Sequence, residues 1–282
     1  MMNYVTYSAS ELKKLQQELL LLLIEIDRIC QKHNIHYYIS YGTLLGAVRH
    51  QGFIPWDDDI DIDMPREDYE RFCAVCLNEL DHDRFFLQTQ QTDPHYNWVY
   101  GKLRLKQTSF IRSGQEHLRQ KDGFFLDIFP IDSISDSKWR QRVAKAACKA
   151  CRKILWAPVG KKSSDSFLLR FWYAILSKIP RKWTIQLFHH FATRDNRNPS
   201  TSKRICHNLN GHIFEKEWTA QLIPLLFEQK QFPAPASYSN LLTSLYGDYM
   251  QLPPPEKRIG HCYASFVKFL DGTELVAEGE KP

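Results

Sequence analysis

Apolar residues recur at Leu12, Leu15, Leu19, Leu22, Ile26 and Ile29, the spacing of one helix face, and Ser8-Ala-Ser-Glu11 ahead of them has the form of a capping box. The pattern predicts a first helix to about His33, broken at Asn34 and followed by an apolar strand from Ile35 to Tyr41. At Asp59 the period changes. Asp-Ile-Asp-Ile-Asp-Met alternates strictly, so a strand would carry Asp59, Asp61 and Asp63 on one face and Ile60, Ile62 and Met64 on the other. Pro65-Arg-Glu-Asp-Tyr opens a helix to about Leu80, and strand-like runs follow at Arg84–Thr89, Trp98–Leu105 and Ser109–Arg112. A basic amphipathic helix is expected over Lys138–Ile154, and Asn196–Ser202 reads as a polar linker. Leu222–Pro235 reads as strand and turn, Ala236–Tyr246 as a helix stopped by Gly247, and the polar tail from Asp271 as frayed. Together these elements predict an α/β fold.

Composition narrows the class. The 282 residues fit one large domain or a domain with a sizeable insertion, and 43% hydrophobic content excludes a mostly disordered chain. Met1–Ser10 lacks the pattern of a signal peptide and no apolar run is long enough to span a bilayer, so the expected location is cytoplasmic. Seven cysteines, an odd number, agree with a reducing compartment. The pairs Cys73/Cys76 and Cys148/Cys151 lie inside helical patterns without the Gly-rich knuckle of zinc sites, and are expected to be core or interface residues. The net charge of +5 hides an asymmetry: residues 138–204 hold 17 Lys or Arg and 2 acids, leaving the remainder net negative. No nucleic-acid-binding motif accompanies that charge, so nucleic acid is not an expected partner.

The chemistry concentrates between Tyr38 and Pro65, where five of the seven residues from Asp57 to Asp63 are aspartates. Like charges about 7 Å apart along one strand face repel, and a hard cation such as Mg²⁺ (or Mn²⁺) is the natural counter-charge. The alternative is a solvated turn at Asp57–Asp59 on an edge strand. Upstream, Gly42-Thr43 lies between an apolar strand and a short helical pattern, an arrangement whose free N–H groups seat a phosphate. Asp127, set in the apolar run GFFLDIFPID, is costly to bury without a metal or cation and is a candidate third carboxylate. Asp132 in the same run reads as closing a turn. Lys102 and Arg104 share a strand face with Tyr100, as substrate-phosphate ligands or as a solvated edge. Asp57, Asp58 and Asp63 remain open between ligands and turn residues. His33 and His36 read as helix-end and surface residues.

The run GTLLGAVRHQGFIPWDDDIDI, with YGDYMQLPPPEKR downstream, resembles the LicD family of phosphocholine and polyol-phosphate transferases, which is related to the fukutin and fukutin-related proteins. The likeness covers about residues 10–135 and 222–263. It implies a nucleotidyltransferase-like mixed sheet flanked by helices, with the catalytic core in residues 1–137, a basic helical insertion in 138–204 and a part completing the catalytic domain in 205–282. It also implies metal ligation by Asp59 and Asp61 with Asp127 as third ligand or general base. Gly42 and Thr43 would seat a phosphate, and Arg49, Lys102, Arg104, Lys257 and Arg258 would hold or offset phosphate charge. The implied donor is a CDP-activated alcohol such as CDP-choline, and the implied acceptor a sugar hydroxyl of a surface polysaccharide or its lipid-linked precursor. Two other readings stay open: transfer of a nucleoside monophosphate from an NTP, and a non-enzymatic Ca²⁺- or polyanion-binding module. The basic insertion, with Trp139, Trp156 and Trp183, is expected to touch an anionic membrane peripherally on its inner face.

Overall fold

A computed structural model describes residues 4–197, 202–207 and 210–277. Helix α1 spans Ala9–His33, with Ser8 and Glu11 forming the reciprocal capping box and Asn34 closing the helix in the left-handed region at φ 50°. Its apolar stripe, Leu15, Leu19, Leu22, Ile26 and Ile29, is fully buried in the main core. Strand β1 is only Tyr38–Ile39, and helix α2 begins at Tyr41 and runs to His50, so Gly42-Thr43 lies in the first helical turn rather than ahead of it. Strand β2 (Asp61–Pro65) and helix α3 (Arg66–Glu79) follow. Ile60, Ile62 and Met64 are completely buried, which is the apolar side of the predicted alternation.

Strands β3 (Phe85–Gln88), β4 (Gly101–Leu105) and β5 (Ser109–Arg112) lead to β6 (Phe124–Ile134), the central strand. The main mixed sheet has the order β1-β2-β6-β4-β3. Strands β2 and β6 are parallel and the other pairs antiparallel. One edge of β6 changes partner along its length. Phe124–Ile128 pairs with β4, and Ile131–Ile134 pairs with β7 (Arg204–His207), which in turn pairs with β8 (His212–Glu215). Asp132 therefore lies within β6 and does not close a turn. It is fully buried and takes a bidentate ion pair from Arg66, Nε at 2.9 Å and Nη2 at 2.7 Å. A carboxylate in an apolar strand is tolerated there because a guanidinium fork meets it.

Between β6 and β7 the chain forms helices α4 (Lys138–Ser163), α5 (Phe167–Leu176) and α6 (Arg181–Thr193). Cys148, Cys151 and Leu155 of α4 pack with Phe188 and Ala192 of α6 and Val99 in a small core of their own. All seven cysteines are free. Part of the expected Asn196–Ser202 linker lies outside the described residues. The chain then makes the hairpin β9 (Leu222–Phe227) and β10 (Lys230–Pro235), helix α7 (Tyr238–Tyr246) ended at Gly247, and β11 (Ala264–Lys268) with β12 (Glu274–Val276). The tail from Asp271 is thus not frayed as far as Ala277, since β12 pairs with β11 and Ala277 is buried. Among the described residues no helix is long and apolar enough to cross a membrane.

Candidate active site

The parallel pairing of β2 with β6 sets Asp61 directly opposite Asp127. Beside them Asp57, Asp58 and Asp59 are 5–7% exposed, which removes the solvated-turn alternative. Their burial is a long-range effect. The segment after the triple proline returns to the acids: the His261 and Cys262 N–H groups donate to Asp58 (3.0 and 3.2 Å), and His261 Nε2 lies 3.1 Å from Asp59 Oδ2. Gly260 permits this approach, because a Cβ there would stand 2.6 Å from Asp58 Oδ2. Asp58 is accordingly held as an acceptor for backbone. Asp63 meets Tyr38, Ser40 and, at 3.8 Å, His207.

Burial and mutual repulsion dominate the titration of these acids. Desolvation, then the charges of Asp59 and Asp127, push Asp61 well above the usual carboxylate range, and desolvation with Asp59 does the same to Asp57. Asp59 is the exception: burial opposes its charge, but the hydrogen bond and charge of His261 pull it down, while the same contact raises His261 to about 10. Lys102 Nζ bonds Asp127 directly, and burial lowers this ammonium to about 8. Burial also works against Arg112, yet Cys262, Tyr100, Asp127 and Asp59 hold it protonated. Five carboxylates here face three protein cations, Lys102, Arg112 and His261. Ligand atoms of Asp57, Asp58, Asp59 and His261 lie within 4.8 Å of one another, and the carboxylate oxygens among them are the hard donors that Mg²⁺ or Mn²⁺ takes.

Above the acids lies a cleft of about 820 Å³, lined by Gly42, Asp57, Asp61, Arg49, Lys257, Arg258 and His261 together with Tyr41, Trp56, Phe129 and Tyr246. Gly42 brings α2 against the acids, since a Cβ would be 2.7 Å from Asp57 Oδ2. The first amides of α2 have no intrahelical acceptor and lie at this wall. Arg49 Nη1 donates to the Tyr249 carbonyl at 2.8 Å, and Arg258 donates from Nε to the Pro253 carbonyl while lying over Trp56. Both guanidiniums therefore fix the proline segment as well as charging the cleft.

Four expected site residues have partners within the protein. Thr43 is buried, and its hydroxyl accepts the Asp61 N–H at 2.9 Å. Lys102 and Asp127 are committed to each other. Arg104 donates to Gln88 Oε1 (2.6 Å) and the Gly123 carbonyl (2.7 Å) and does not line this cleft. Sequence reading passed over His261, Arg112 and Tyr41. The signal was Gly260-His261-Cys262 one residue beyond the proline segment; Tyr41 sits at φ 47°, a strained conformation for an aromatic residue.

Residues 34–155 match the family model described as LicD/FKTN/FKRP, nucleotidyltransferase domain. The chain is 28% identical over 265 residues to the lipopolysaccharide cholinephosphotransferase LicD of Haemophilus influenzae, covering 89% of this chain and 95% of that one. It is also 46% identical over 72 residues to an uncharacterized protein of Rickettsia prowazekii, spanning 27% of that protein.

Proposed function

The chain belongs to the LicD family, and from that premise we propose that it transfers phosphocholine from a CDP-activated donor to a sugar hydroxyl of lipopolysaccharide or its lipid-linked precursor. One observation carries the proposal: the carboxylates Asp57 and Asp61 and the cations Arg49, Lys257 and Arg258 line the same cleft, beside the N-terminus of α2. That is the composition of a site for a metal-bound diphosphate.

Asp59 and Asp61 would hold Mg²⁺ or Mn²⁺, with Asp57, Asp127 and His261 at hand; when bound, the ion neutralises phosphate charge. The first amides of α2 bind phosphate oxygens, and Arg49, Lys257 and Arg258 offset the charge that develops as the acceptor oxygen bonds to the phosphocholine phosphorus and the phosphoanhydride bond to the leaving CMP breaks. Asp127, paired with Lys102, would serve as the third carboxylate. Tyr41, Trp56, Phe129 and Tyr246 supply aromatic faces, which attract a quaternary ammonium and also stack a cytosine ring.

The test incubates the protein with CDP-choline, Mg²⁺ and a lipopolysaccharide acceptor, scoring CMP release together with phosphocholine on the acceptor. Pyrophosphate release from an NTP instead would identify nucleotidyl transfer. Absence of both, with the cation bound, would leave a binding module.

A further inference from the structure

Helix α5 is apolar at nine of its ten positions, Phe-Leu-Leu-Arg-Phe-Trp-Tyr-Ala-Ile-Leu, yet none of its residues is buried. Phe167 is 72% exposed and Leu168 76%, and Phe171, Trp172 and Ile175 continue the same face at helical spacing. Tyr173 is seated closely: its ring lies over Gly160 of α4, where a Cβ would come within 2.5 Å of it. The helix is thus fixed to the protein along one line and presents its apolar face outward. An uncovered apolar face of this kind marks an interaction surface.

Charge selects the occupant. Lys161, Lys162, Arg170, Lys178 and Lys182 are all exposed on or beside α5, and Asp165 is the one acid between Lys161 and Lys182. A second copy of the chain would bring these cations against their own equivalents in an isologous contact. An anionic lipid surface offers both complements at once, phosphate headgroups for the cations and acyl chains for the aromatic face. At 10 residues the helix is about 15 Å long, half of a bilayer core, so it lies in the interface and does not span it. The basic face of α4, by contrast, belongs to a helix whose apolar side is already covered by α6.

We infer that α5 is a membrane-docking helix, inserting Phe167, Leu168, Phe171 and Trp172 into the interface of an anionic bilayer while the flanking lysines and Arg170 bind headgroup phosphates. Binding is independent of catalysis, so the inference stands or falls apart from the transferase reading.

The full chain is floated with vesicles of phosphatidylglycerol and phosphatidylcholine, and with phosphatidylcholine alone, without substrate. Anionic vesicles should bind it roughly tenfold or more tightly, added salt should weaken binding, and Trp emission should shift to the blue. Phe171→Ser with Trp172→Ser, and separately Lys161→Glu with Lys162→Glu, should each lower partitioning by about tenfold while urea midpoints stay at the wild-type value. Equal flotation with both lipids, or unchanged flotation of both double variants, overturns the inference. So does a dimer in sedimentation equilibrium that Phe171→Ser with Trp172→Ser dissolves, because the face would then be a protein interface.

Discussion

Removing the Asp132 carboxylate tests how the fold holds its acids in register. The β2–β6 ladder runs from Asp61 opposite Asp127 to Pro65 opposite Ile131, and just past it Arg66, the first residue of α3, pairs with Asp132. Asp132 accepts from Arg66 at 2.7 and 2.9 Å and from Asn196 Nδ2 at 2.7 Å, with 0% of its surface exposed. Asp132→Ala leaves the Arg66 guanidinium, itself 8% exposed, without its counter-charge. Breaking a buried pair in this way costs about 3–5 kcal/mol. That is a large share of a total stability of roughly 5–15 kcal/mol, and equals a fall in Tm on the order of 10 °C. Urea unfolding followed by circular dichroism reads the loss directly. Arg66→Met with Asp132→Leu should recover most of it, since apolar replacements of similar volume remove the desolvation cost along with the attraction. A single variant that loses less than about 1 kcal/mol, or a double variant no better than the single one, would refute the reasoning.

Other outcomes follow from the same geometry. Asp61→Asn should abolish metal-dependent turnover and slightly raise the Tm of the metal-free protein, because it relieves repulsion from Asp59 and Asp127; a large loss of stability would make the carboxylate structural. Gly42→Ala should lower activity more than stability, since its Cβ meets only the carboxylate of Asp57. Gly46→Ala, whose Cβ would lie 2.4 Å from the Gly52 carbonyl, should cost at least about 1–3 kcal/mol in urea unfolding; the reverse order of these two would count against the assignment of Asp57 to the site. Burial raises Asp63 to about 8, so the native state keeps a proton that the unfolded chain loses near pH 4. Its contribution is complete below that pH and declines as pH rises toward 8. The stability of wild type relative to Asp63→Asn should therefore fall between pH 5 and 8, at most about 1.4 kcal/mol per unit, and a flat difference would show that Asp63 ionises normally.

What could be read in advance was whatever a short window determines. The capping box at Ser8, the stop at Asn34, the alternation that buries Ile60, Ile62 and Met64, and the end of α7 at Gly247 all depend on neighbours within a few residues. The alternation did not reveal that Asp57, Asp58 and Asp59 are buried. The groups that cover them, His261 and Cys262, are about two hundred positions away in sequence. Arg104 shows the same limit. Its strand face was readable, but Gln88 and the Gly123 carbonyl, which take up its donors, come from other elements.

Asp132 shows why a local rule can point the wrong way. Pro130 two residues earlier argues against a central strand, because proline has no N–H for a ladder. In the fold, one edge of β6 pairs with β4 as far as Ile128 and with β7 from Ile131, so Pro130 falls in the gap between the two ladders. The strand continues through the proline on the strength of its other edge, where Met64 lies opposite Pro130 in the parallel pair with β2. That same edge carries the Asp61–Asp127 rung at one end and the Arg66–Asp132 pair just past the other. A slip of one residue would separate the buried ion pair and turn the acids of β2 to the opposite face of the sheet. The residues that look like a turn in isolation are therefore the ones that oppose such a slip, and the position of the site's carboxylates depends on a salt bridge outside the cleft.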